Sequence, residues 1–138
     1  MSETTPTLNL QSLLVPSKVT EVEYPGLAGF KIQVSFLSRE ELVKIRKKAT
    51  KTAYKHRQPV EELNEELFLS LYVENTIKGW SGLKLSYLTQ LAPVDLSAIK
   101  DQEQELAYTQ ANALSLMKSS ADFDSFISET VTDLENFQ

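Results

Sequence analysis

The side chains best equipped for chemistry are few and scattered. His56 is the only histidine and stands between Lys55 and Arg57. A general base needs a partner that orients it and a pocket that tunes it, and its neighbours imply neither. At the predicted C-terminal end of a helix, an exposed cationic imidazole is the simpler reading. Glu61, Glu62, Glu65 and Glu66 form i,i+4 pairs that would suit a hard cation. No His or Cys joins them, and all four acids are explained by the positive N-terminal end of a helix. Asp122 and Asp124 suit a helix first turn in the same way and do not match a calcium loop. No serine, Ser81 included, sits in a Gly-x-Ser-x-Gly frame. Gly26, Gly29, Gly79 and Gly82 are wrongly spaced for phosphate loops. There is no cysteine, which removes thiol nucleophiles, thiolate metal sites and disulfides. The residues therefore describe a protein that is not an enzyme, with no catalytic residue, cofactor or metal.

Two sets of side chains remain as contact candidates. Lys44, Lys47, Lys48, Lys51 and Lys55 recur at helical spacing and would neutralise phosphates on nucleic acid. Tyr54 is the only aromatic in that run, and the chain carries a net charge of −5, so nucleic acid is disfavoured against a solvated or partner-facing helix. Lys47, Lys48 and Lys51 are its candidate contact residues. The second set is Phe123, Phe126 and Phe137, aromatics that serve either as core or as a face for a partner or a second copy.

The predicted elements follow from periodicity. Phe30, Ile32, Val34 and Phe36 alternate with polar residues, and Pro25 to Gly29 has turn chemistry, so residues 18–36 read as a β-hairpin with one apolar face. Ser38 and Glu41 form a capping box that starts a basic helix over 39–57, with Leu42, Ile45, Ala49 and Ala53 on its thin apolar stripe. Pro59 then opens a second helix ending near Ile77, where Gly79 and Gly82 flank Trp80 in a structural corner. Leu85, Leu88 and Leu91 predict a short helix before Pro93, and an acidic loop spans about 95–105. Thr109 and Ser119 or Ser120 cap two final helices; Phe123, Phe126, Ile127, Val131, Leu134 and Phe137 share one face of the last. The expectation is an α+β fold, a mostly α-helical single domain over 18–138 with an N-terminal β-hairpin, behind a loosely ordered segment 1–17.

Length and charge agree with this organisation. A chain of 138 residues accommodates one domain, and its 41% apolar content is that of a globular protein. Residues 31–60 hold nine Lys/Arg against Glu40 and Glu41, whereas Asp95 to the end holds nine Asp/Glu against Lys100 and Lys118. A basic middle and an acidic C-terminal third permit internal matching, head-to-tail association or a basic partner surface. No apolar run would span a bilayer, and the N-terminus lacks the charge and apolar block of a signal peptide, so a cytoplasmic protein without a membrane partner is expected.

Taken in order, the strand Phe30 to Phe36 with its following basic helix, Val73 to Leu83 with Trp80-Ser81-Gly82-Leu83, Leu91 to Leu96, Tyr108 to Leu114, Ser119 to Phe126 and Leu134 to Phe137 carry a family likeness. Over this length, from about residue 18 onward, the chain resembles the tail assembly chaperones of long, non-contractile-tailed bacteriophages. The resemblance implies a non-enzymatic factor in the host cytoplasm that binds and solubilises the tape measure protein, helps recruit tail tube protein and is absent from the mature virion. It also implies oligomeric assembly, and that this chain is the short form of a pair related by programmed ribosomal frameshifting. Two alternatives compete: a small nucleic-acid-binding or regulatory protein using the basic helix 39–57, and a minor structural tail protein.

Overall fold

The computed structural model describes residues 9–13 and 18–138. The expected loose segment 1–17 thus falls largely outside the described residues, which include only one helical turn there, α1, Leu10–Leu13. Next come β1, Val19–Glu23, β2, Lys31–Ser35, α2, Arg39–Ala49, β3, Thr50–Lys55, and β4, Gln58–Leu63. The second half holds α3, Glu65–Thr76, β5, Ile77–Ser81, α4, Leu88–Leu91, α5, Gln110–Ser119, and α6, Ala121–Thr132.

Alternation in β2 decides which way the sheet faces. Ile32 and Val34 are fully buried while Lys31 and Gln33 are exposed, as a strand with one dry face requires. β1 pairs antiparallel with β2 from Val19↔Ser35 to Glu23↔Lys31, and β5 pairs antiparallel on the other side, giving the order β1-β2-β5. The β2–β5 register shifts between Gln33, opposite Gly79, and Val34, opposite Ile77, leaving Lys78 as an extra residue. This bulge matters for the core. Ile77 and Trp80 are three residues apart and would face opposite sides of a regular strand, but the extra residue lets both lie opposite inward-facing residues of β2.

On the dry face, α3, α5 and α6 pack in succession, with Val73, Ala113, Leu116, Phe123, Ile127 and Val131 buried against Phe30, Ile32, Val34 and Ile77. The caps are local and polar. Ser38 Oγ accepts from the Glu41 N–H at 3.1 Å, Thr109 Oγ1 from the Asn112 N–H at 3.0 Å, and Ser120 Oγ from the Phe123 N–H at 3.1 Å. Each satisfies an amide that the first helical turn leaves without a partner.

Several sequence expectations need correction here. The description as mostly helical with a single N-terminal hairpin gives way to an α+β fold with, among the described residues, five strands in two sheets, in which the 18–36 hairpin supplies only two strands of the first. The basic helix 39–57 stops at Ala49, and residues 50–63 form a second hairpin, β3–β4, paired from Thr50↔Leu63 to Lys55↔Gln58. The next helix begins at Glu65, capped by Asn64, whose side chain accepts from the Leu67 N–H. It ends at Thr76, so Gly79 and Trp80 lie inside β5 rather than in a helix-ending corner. The physical reason is that Thr50, Thr52 and Tyr54 favour an extended backbone, and Lys51 and Lys55 at helical spacing supply no apolar stripe to hold a helix against the core. Part of the acidic loop is also tied down. Leu85 N–H donates to the Gln104 carbonyl, Ser86 N–H to that of Gln102, and Lys84 pairs with Glu103 at 3.0 Å.

Candidate interaction surface

Two surface features stand apart from the core. The first is the β3–β4 hairpin, an arm of about 20 Å from its strand rise. Its principal packing beyond its own ladder is on the end of α2. The arm turns through His56 and Arg57, both with positive φ, 52° and 65°. Two consecutive left-handed residues match a type I′ hairpin turn, for which Asn-Gly is the favoured pair. Tyr54, beside the turn, is 76% exposed, the most open large apolar side chain among the described residues. At the root, Val43, Arg46 and Lys47 of α2 with Thr50, Lys51 and Thr52 of β3 and Glu61 of β4 enclose a groove of about 410 Å³.

The second feature is a pocket of about 260 Å³ lined by Tyr24, Pro25 and Leu27 after β1, Gln90 and Leu91 of α4, and Asp122 and Phe126 of α6. Its floor belongs to an aromatic cluster. The Tyr24 ring lies edge-on to Phe126 at 4.8 Å and stacks on Phe30 and Phe123 at 5.7 and 6.1 Å. Burial, then the Asp122 carboxylate, pushes the Tyr24 hydroxyl above its usual range, keeping it a neutral donor.

The candidate residues separate by burial. Phe123 is fully buried at the centre of the aromatic cluster, and Phe137 is buried against Phe36, so both rings are spent on the chain's own core. Phe126 is half-buried and faces the pocket. Lys47 and Lys48 lie on α2 and Lys51 on β3; none of the three forms an ion pair among the described residues. Trp80 meets Phe30, Tyr108 and Phe123 edge-on, and its indole N–H donates to the Leu106 carbonyl at 2.9 Å. Gly82 has φ +75°, and a methyl there would overlap the Gly29 carbonyl. Gly79 has no such backbone constraint, since a methyl would meet only the Gln33 side-chain tip.

The glutamates do not gather. Glu61 and Glu62 point to opposite faces of β4, Glu62 pairs with Lys55 at 3.0 Å, and Glu66 pairs with Lys118 at 3.0 Å. Among the described residues no group of three His, Asp or Glu side chains converges as metal ligands, and no helix is long and apolar enough to cross a membrane. Sequence reading missed the arm. Its available signal was the alternation Thr50, Thr52, Tyr54 followed by Pro59-Val60, a strand pattern overlaid on helically spaced lysines.

The fold and these surfaces define a small α+β protein with a projecting hairpin arm and an open aromatic pocket. The chain belongs to the YdaY prophage protein family, whose model matches residues 33–138, and is thus a phage protein. Comparison with curated proteins and with solved structures returned no match.

Proposed function

We propose that the chain is a tail assembly chaperone, a non-enzymatic factor that holds the tape measure protein soluble in the host cytoplasm while tail tube protein is recruited around it. Membership of a prophage family is consistent with this reading. The observation that carries it is the β3–β4 arm, a two-stranded ribbon with free edges and the exposed side chains Tyr54, Val60 and Leu63. Free strand edges and exposed apolar side chains are what a binder of extended or amphipathic client segments presents. Multiple copies would coat a long client, a longer frameshifted form would contact the tube protein, and none would remain in the virion.

The test is co-expression with the tape measure protein of the same phage. The client is expected to become soluble and to co-purify, and to lose both properties when Tyr54, Val60 and Leu63 are replaced by serine. A client that stays insoluble and unbound along its whole length contradicts the proposal. Mass analysis of finished particles adds a second criterion, since a minor structural tail protein would be found there.

One observation favours the nucleic-acid reading: Lys47, Lys48, Lys51 and Arg57 have no acidic partner among the described residues. Titration with duplex DNA at low and moderate salt separates the two, because binding that depends on these side chains would fall steeply with salt.

A further inference from the structure

The arm and the pocket are complementary to each other, yet they are separate features of the fold. The arm tip presents Tyr54, His56 and Arg57, with Arg57 free of any ion pair among the described residues. The pocket presents Phe126 and Tyr24 as an aromatic wall with Asp122 beside it. From Ser119 to Gln138 the chain has five Asp/Glu and no Lys, Arg or His, and none of these acids forms an ion pair among the described residues. An unneutralised acidic end with an open aromatic pocket and an unneutralised basic tip with an exposed tyrosine are matching halves of one contact.

We infer that the arm of one copy docks in the pocket of a second copy, with Tyr54 against Phe126 and Tyr24 and with Arg57 paired to Asp122. Within one chain the arm packs on the end of α2, whereas the pocket is built by the β1–β2 turn, α4 and the start of α6, so the occupant is another molecule. Two further observations point the same way. A two-stranded ribbon without a packed face is marginal in water, so the arm gains stability when something covers it. The His56–Arg57 turn keeps two side chains in a left-handed backbone where Asn-Gly would be relaxed, as expected if the tip is used for recognition rather than for turn stability. Donor and acceptor surfaces differ, so the contact closes as a two-fold pair with each arm in the other copy's pocket, or runs head-to-tail into a ring or a row of copies. It rests on the chaperone reading only for the expectation of many copies, and it is tested with the purified chain alone, so failure of client binding and failure of this contact are separate results.

Sedimentation over a concentration series should show wild-type chain associating, with the midpoint moving to higher concentration as salt rises. Tyr54→Ala, Arg57→Glu and Asp122→Lys alter exposed side chains, and each should raise the midpoint by about tenfold or more, the scale of losing an interface anchor. Mixing Tyr54→Ala with Asp122→Lys is decisive, because the altered arm, still carrying Arg57, is repelled by the altered pocket. The first retains an intact pocket and the second an intact arm, so the mixture should form a discrete two-chain complex that neither forms alone. As a further check that keeps Tyr54 and Arg57 in place, Gln58→Cys and Gln90→Cys chains, in a protein with no other cysteine, should cross-link between copies on oxidation. Wild-type chain that stays monomeric throughout, variants that associate as wild type does, or a tip that binds duplex DNA through Arg57 without self-association would each overturn the inference.

Discussion

Phe137 lies edge-on to Phe36 at 5.4 Å between ring centroids, so the turn that holds it packs at the end of the central strand of the sheet and alongside β1. Phe137 is buried within a 3-10 turn, Leu134–Phe137, capped by Asp133, which accepts from the Glu135 N–H. Phe137→Ala should therefore destabilise the fold by about 3–5 kcal/mol, and Phe123→Ala by a similar amount. Phe126→Ala, at a half-buried ring, should fall clearly below both. Urea unfolding monitored by Trp80 fluorescence would rank the three, and equal losses would contradict this division between core and surface.

Gly82 and Gly29 approach one another too closely for a side chain. Gly82→Ala would force a methyl into the Gly29 carbonyl from a positive φ, and a loss of several kcal/mol or failure to fold is expected, the result of combined clash and strain. Gly79→Ala meets only a side-chain tip that can swing away, and its loss should stay near about 1 kcal/mol. Comparable melting points for the two variants would contradict the backbone contact.

Burial raises the Tyr24, Tyr72 and Tyr108 hydroxyls above their usual value of 10.0, with the Asp122 and Asp124 carboxylates adding to the effect at Tyr24 and Tyr72. The folded chain then holds these protons to higher pH than the unfolded chain does. Their contribution to stability is complete below about pH 10 and is lost as pH rises through the raised values. Unfolding midpoints should hold from pH 8 to 9.5 and fall beyond it, and Tyr72→Phe should make that fall shallower. A midpoint that rises above pH 10 would reverse the sign.

The strained arm turn offers a separable test. Replacing His56 by Asn and Arg57 by Gly should relieve on the order of 1 kcal/mol and slow amide exchange in residues 50–63 roughly fivefold, with little change in global stability. The same double variant should lose self-association, because Arg57 is gone. Faster exchange in the arm would mean that the native turn is held by contacts other than those described.

Legible from local chemistry were the strand pattern 30–36, realised as β2 over Lys31–Ser35, the caps Ser38 and Thr109, and the last amphipathic helix as far as Thr132. Each rests on side-chain alternation, a hydroxyl within reach of a free amide, or a 3.6-residue period. Leu134 and Phe137, expected on the same helix face, stand instead in a separate 3-10 turn with Leu134 exposed. The rest turned on partners elsewhere in the chain. Residues 50–55 carry lysines at helical spacing and β-branched residues at strand spacing together, and their pairing with 58–63 chose between the two patterns. Trp80 could not be placed without its non-local partners, since β2 lies more than forty residues upstream and the bulge at Lys78 sets which side the indole faces. Phe123, Phe126 and Phe137 are alike in sequence and differ in burial because exposure depends on what packs above each ring, and those neighbours, Tyr24, Phe30 and Phe36, come from the other end of the chain.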